Sequence, residues 1–285
     1  MEIMRIPLLA VVLLVSLLTG CGRQAVNAPI STPTSAATAI IAPEVTPSPI
    51  VTLSPAPIPT PASTPTPTPL PLEKALICID PGHCVTPLAG KGYTELVSPL
   101  STEKKALYTT GTQGKGMTEE KLNFTVGFKL RDELQGLGAT VIMTRDISEI
   151  TISGIERCQI ANEAGADVAI RIHADGSTDP SVHGVSVLVP AGDLLGTPSI
   201  VDESVRLGQL MVDSVAKETG AKNRGTISRT DLTGFNFSEV PSVLIEMGFM
   251  TNAEEDTRLE TEEYQDKIVT GMVNSILAWY GVELR

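Results

Sequence analysis

ALICIDPGHCVTP, residues 75 to 87, is the stretch on which the reading of the chain turns. A mostly apolar run, ALICID, passes directly into Pro81, Gly82 and His83. Such a run predicts a buried strand. Proline fixes one backbone angle and glycine permits a tight turn, so together they aim His83 back over the edge of the sheet. A histidine held in that way, at the carboxyl end of a buried strand, is a candidate for chemistry rather than for packing.

Outward from this stretch, strands and helices alternate. The helix predicted over 118–137 carries Leu122, Val126, Leu130 and Leu134 at four-residue spacing, with Gly136 and Gly138 at its end. ATVIMTR (139–145) reads as the next strand, 153–165 as a short helix, and ADVAIRIH (166–173) as a strand. HGVSVLVP (183–190) and VPSVLIEM (240–247) are further strands, 199–220 is helical, and 261–280 closes the chain as a helix with Ile268, Met272, Ile276 and Trp279 on one face. This alternation predicts an α/β fold: a single domain with a twisted, largely parallel central sheet flanked by helices. Near-continuous apolar runs agree with strands covered on both faces.

In such sheets ligands gather at the carboxyl ends of the strands. His83, His173 and Glu246 each end an apolar strand, and Glu119 or Glu120 opens the long helix that follows the first one. Neighbouring strands would bring all of these to one rim. Two imidazoles and a carboxylate suit catalytic zinc, which takes three protein ligands and leaves one position for water. A further carboxylate can take up the proton of that water. The parts therefore fit metal-assisted hydrolysis, although no HExxH signature links them. A lone histidine is ordinarily a surface or hydrogen-bonded residue, and His183, between Pro180 and a strand, reads as an exposed turn. Glu246, inside SVLIEMGFM, is costly to bury without a partner.

Composition limits the partners. Apolar residues make up 42 % of the chain, and the net charge is -12, from 21 basic and 33 acidic residues. That balance excludes a protein built to present a basic face to duplex phosphates, so no nucleic acid is expected as partner. The N-terminus, MEIMRIPLLAVVLLVSLLTGCG, places Arg5 before an apolar stretch from Ile6 to Leu18 that is too short to span a bilayer. Residues 1–20 read as an export signal. The end of that segment, LLTG before Cys21, resembles the lipobox of bacterial lipoproteins, which implies cleavage before Cys21 and lipidation of its thiol. Residues 21–72 form a Pro/Thr/Ser-rich linker that cannot bury enough apolar surface to offset its ordering entropy. Its stretch from 25 to 72, fully extended at about 3.1 Å per residue, would reach about 150 Å. The globular domain is expected over 73–285. With Cys21 lipidated, Cys78, Cys84 and Cys158 remain. An odd number leaves at least one thiol free, and the absence of a CxxC pair argues against a cysteine-based zinc site.

The residues picked out above lie in a wider set of motifs: IDPGH at 79–83, ExxxN from Glu119 to Asn123, TR at 144–145, ERCQIAN at 156–162, RIHAD at 171–175 and PSVLIEMGFMTN at 241–252. In this order they resemble the zinc-dependent N-acetylmuramoyl-L-alanine amidases of bacterial cell walls, across essentially all of residues 75 to 280. The resemblance implies zinc held by His83, Glu119 and His173, with Glu120 as the out-of-register competitor, and Glu246 as the catalytic carboxylate. It implies hydrolysis of the lactyl amide joining N-acetylmuramic acid to L-alanine in peptidoglycan. The expected protein is then a monomeric, membrane-anchored lipoprotein acting on the wall outside the cytoplasm. Three features depart from the family pattern: Cys84 follows the ligand histidine, the segment from Cys84 to Lys115 is long and is read here as shaping the substrate groove, and Asp175 stands where asparagine is frequent. Two other readings stay open at this point: a wall-binding lipoprotein of the same fold without activity, and a zinc hydrolase of a different amide.

Overall fold

The computed structural model describes residues 69–85, 91–191 and 198–282. The export signal, Cys21 and nearly all of the linker lie outside the described residues. A six-stranded sheet runs in the order β4-β1-β5-β8-β6-β7, and a separate antiparallel pair joins β2 to β3. The strands are β1 (Leu76–Pro81), β2 (Thr94–Leu96), β3 (Lys104–Ala106), β4 (Thr140–Met143), β5 (Val168–Asp175), β6 (Val185–Pro190), β7 (Asn223–Arg229) and β8 (Ser242–Phe249). The helices are α1 (Glu119–Gly136), α2 (Gly154–Ala164), α3 (Pro198–Thr219), α4 (Thr233–Asn236), α5 (Ala253–Leu259) and α6 (Glu262–Trp279). The sheet is parallel except between β6 and β8, which pair antiparallel. Among the described residues no helix is long and apolar enough to cross a membrane.

Side chains alternate across a strand, and here the two faces differ in kind. Ile77 and Ile79 of β1, Val168, Ile170 and Ile172 of β5, and Val243 and Ile245 of β8 point to one face. There they pack against Leu122, Val126, Leu130 and Leu134 of α1, Leu207, Met211 and Val215 of α3, and Ile268, Met272 and Ile276 of α6. Each such side chain, fully buried, contributes about 1.5–3 kcal/mol. The opposite face is covered by α2 and α4. Its apolar contacts are small: Cys78 with Ala161, Ala166 and Ala169, and Leu188 with Phe235 and Leu244. On this second face β1 places Asp80, β5 places Arg171 and His173, and β8 places Glu246. The apolar runs are therefore strands whose alternate residues carry the chemistry.

Helix termini are fixed locally. Thr118 caps α1 by accepting from the Lys121 N–H, and Ser153 forms a reciprocal capping box with Glu156 at the start of α2. Five elements lie beyond the expected set, among them the four-residue α4. β7 is a polar, mostly exposed edge strand with no apolar run to announce it. The short α5 is capped by Asn252. The segment after Cys84, read from sequence as a long polar loop, contains the β2–β3 hairpin, with Glu95 directly opposite Lys105.

Candidate metal centre and active site

The order β1-β5-β8 makes immediate neighbours of the strand that leads into His83 and the two that carry His173 and Glu246 near their carboxyl ends, all running the same way. His173 and Glu246 are paired in register, so their side chains leave the same face side by side. Gly82 follows β1 and bonds through its N–H to the Ile172 carbonyl (2.9 Å). A Cβ on Gly82 would fall 2.3 Å from the ring of His173, so only glycine admits the imidazole there. The left-handed conformation falls on the next residue: His83 has φ 57°, the one positive φ on a non-glycine among the described residues. That geometry costs on the order of 1–3 kcal/mol and persists only where its surroundings enforce it. Here Arg145 donates to the Pro81 and Gly82 carbonyls (each 3.2 Å), and Arg157 donates to those of Pro81 and His83 (each 2.9 Å).

Thr118 starts α1 so that Glu119 turns toward the two imidazoles. Glu119 Oε1 lies 3.0 Å from His83 Nε2 and 3.0 Å from His173 Nδ1. One ligand atom from each of His83, Glu119 and His173 falls within 4.8 Å of the others. Glu120, about 100° further round the helix, faces away: it accepts from the Ser148 hydroxyl (2.6 Å) and lies 3.6 Å from Arg145. Cys84 is buried and is not part of the converging group, and Cys78, Cys84 and Cys158 are all free.

The ring nitrogens are set for coordination. His83 Nδ1 lies 3.1 Å from the Thr109 carbonyl oxygen and 3.0 Å from the Thr109 hydroxyl, so Thr109 holds the ring with Nε2 turned toward Glu119. Burial pushes the His173 imidazole down to about 4, against the pull of Glu119, so the ring is neutral at physiological pH. Burial opposes the charge of Glu119, but the bonds from His173 and His83 outweigh it and hold the carboxyl well below the usual carboxylate range. Two imidazoles and an ionised carboxylate form a donor set that suits a zinc ion.

Glu246 differs from Glu119 although the two are close. Burial, then the charges of Glu119 and Asp175, push its carboxyl well above the ordinary value. Its Oε2 is buried with no hydrogen-bond partner. A carboxyl raised toward neutrality beside the imidazoles can both take and give a proton.

Sequence reading missed the layer beneath the site. Asp80 is buried and bridges Arg157 and Arg171, with Thr144 donating to it (2.7 Å). The signal was the alternation within ICID and IRIH, where Asp80, Arg171 and His173 fall on the face opposite the isoleucines. It also missed the hold of the hairpin segment on Glu119 and His83: Thr112 N–H donates to Glu119 Oε2 (2.7 Å), and Thr109 orients His83. A cavity of about 220 Å³ opens beside His83 and His173 and is walled on one side by this segment.

A family model described as N-acetylmuramoyl-L-alanine amidase matches residues 77–278. An N-acetylmuramoyl-L-alanine amidase of Mycobacterium tuberculosis is 24% identical over 211 residues, covering 73% of this chain and 87% of the relative. The AmiA amidase of Escherichia coli is 26% identical over 209 residues, covering 60% of this chain and 72% of its own. The crystal structure of an N-acetylmuramyl-L-alanine amidase of Mycobacterium smegmatis superposes with a TM-score of 0.67 at 25% identity, covering 74% of this chain and 98% of that one.

Proposed function

The chain belongs to the N-acetylmuramoyl-L-alanine amidase family, and from that premise we propose how its residues carry the reaction. The enzyme cleaves the amide between N-acetylmuramic acid and L-alanine in peptidoglycan. His83, Glu119 and His173 are the zinc ligands in this reading, supported by the convergence of their donor atoms within 4.8 Å. Zinc held there supplies Lewis-acid activation of water and of the amide carbonyl.

Glu246 is the general acid and base. Its carboxyl accepts the proton of the attacking water and returns it to the nitrogen of L-alanine as the amide bond breaks. Its unpartnered Oε2 and its place beside His173 support that role. Asp80, Arg145 and Arg157 hold the Pro81–His83 turn, and Thr109 orients the ring of His83.

The remainder of the proposal rests on residues outside the described ones. Cys21 carries a lipid that anchors the chain to the outer face of the membrane, and the Pro/Thr/Ser-rich linker lets the catalytic domain reach the wall. Labelling with a palmitate analogue in wild type and Cys21→Ser tests the anchor.

The observation that carries the mechanism is the convergence of His83, Glu119 and His173 with Glu246 in register beside them. Purified peptidoglycan is digested with wild type and Glu246→Ala, and new L-alanine amino termini and bound zinc are measured. We expect the variant to keep stoichiometric zinc and to release no L-alanine termini. Undiminished release by Glu246→Ala would remove the proposed role.

A further inference from the structure

The cavity beside the metal centre holds cations that the mechanism above leaves unused. Arg171 lies two residues before His173 on β5 and on the same face, about 6.6 Å away along the strand. Its Nε donates to Asp80 (2.9 Å), while its terminal nitrogens find no protein acceptor among the described residues. Its guanidinium lies against the bare backbone of Gly234, where a Cβ would fall 1.6 Å from Nη1. Lys105, on β3 of the hairpin, lines the same cavity. Its Nζ makes a single long contact, 3.4 Å to the Asp231 carbonyl, and no carboxylate pairs with it among the described residues.

Glu95 also lines this space, opposite Lys105 on the hairpin, but it forms no ion pair with that lysine. Its carboxylate accepts from the Ile155 N–H at the start of α2 (3.1 Å). Of the residues lining the cavity, Arg157, Arg171 and Lys105 are cationic and Glu95 is the one carboxylate. Burial and the neighbouring Arg171 push the Lys105 ammonium below the ordinary lysine value, against the pull of Glu95 and Asp231.

The spacing matches the substrate that the amidase reading requires. Successive carbonyl carbons of an extended peptide lie about 3.3–3.6 Å apart, so the α-carboxyl of the second stem residue sits about 7 Å from the scissile carbonyl. That residue is a γ-linked glutamate, whose α-carboxyl branches off the continuing chain as a free acid or a carboxamide. With the scissile carbonyl beside His173, a group 7 Å along the strand direction arrives at Arg171.

We propose that Lys105 and Arg171 form a carboxylate subsite that reads the free α-carboxyl of the second stem-peptide residue and discriminates against its carboxamide. The inference rests on the amidase reading, and the hairpin supplies the discriminating charge. Lys105 is a specificity residue; it touches the substrate away from the bond that breaks.

The test measures kcat/KM of the full-length enzyme on muramoyl peptides that differ only in this acid or amide. Wild type should prefer the acid by about 10- to 100-fold, the worth of a hydrogen bond between charged groups. Lys105→Met should cut the ratio to about two, and Lys105→Arg should restore most of it. Equal use of the two substrates by wild type, or an undiminished ratio in Lys105→Met, overturns the inference. Calorimetric binding of the L-alanyl-γ-D-glutamyl product and of its α-amide separates the two levels of the argument. If neither substrate is cleaved, the amidase reading fails, and the subsite is still decided by whether the acid binds more tightly and loses that margin in Lys105→Met.

Discussion

Replacing Asp80 by asparagine keeps the shape of the side chain and removes its charge. The carboxylate is 2 % exposed and takes donors from Thr144, Arg157 and Arg171. Arg157 keeps the Pro81 and His83 carbonyls after the change, but Arg171 loses its one acceptor among the described residues. Breaking a buried ion pair from one side costs about 3–5 kcal/mol, because the partner charge stays behind uncompensated. Set against a total stability of about 5–15 kcal/mol, that is a large fraction. In urea, with a slope of about 2 kcal/mol per molar, the unfolding midpoint should fall by about 2 M. Burial alone would raise the Asp80 carboxyl, but Arg157, Arg171 and Thr144 outweigh it and hold the group well below its ordinary value of 3.8. The native state therefore binds this proton more weakly than the unfolded chain, and the contribution is complete above about pH 5. It fades as the pH falls through 4 and toward the depressed native value. The stability gap between wild type and Asp80→Asn should accordingly narrow in acid. A midpoint shift under about 0.5 M at neutral pH, or a gap that widens in acid, would refute the argument.

Gly111→Ala should weaken zinc binding by about 10- to 100-fold in a chelator competition, since the new Cβ would fall 2.4 Å from Glu119 Oε2 and 2.6 Å from the His83 ring, at a φ of 77° that disfavours alanine. An unchanged zinc affinity would show that this segment does not hold the ligands. Ser153→Ala removes the capping box of α2 and should lower the unfolding free energy by about 1 kcal/mol, read from denaturant titration, with the zinc content unchanged.

Some of this was legible from residues alone. β1, β5 and β8 announced themselves as apolar runs, and each ended on a group capable of chemistry. Their adjacency followed only from the topology, because nothing in a linear sequence states strand order. The choice between Glu119 and Glu120 stayed open in the residues themselves and turns on the phase of α1, which Thr118 sets. Pro81 and Gly82 were read as a turn; the structure shows that Gly82 is bare to make room for His173, while the unusual backbone angle falls on His83. β7 was invisible because an exposed edge strand needs no apolar face. The hairpin was invisible because its strands are three residues long and polar. Asp80 and Arg171 were passed over, since the runs that contain them were read for their apolar residues and for the groups that follow.

The account stands on His83, Glu119 and His173 sharing one ion. Zinc-edge X-ray absorption of the purified, zinc-loaded protein reads that coordination shell directly. The account predicts one zinc per chain, a shell of nitrogen and oxygen with the scattering of two imidazoles, and loss of an imidazole contribution in His173→Ala. A sulfur shell from Cys84, or a spectrum unchanged by His173→Ala, would contradict it.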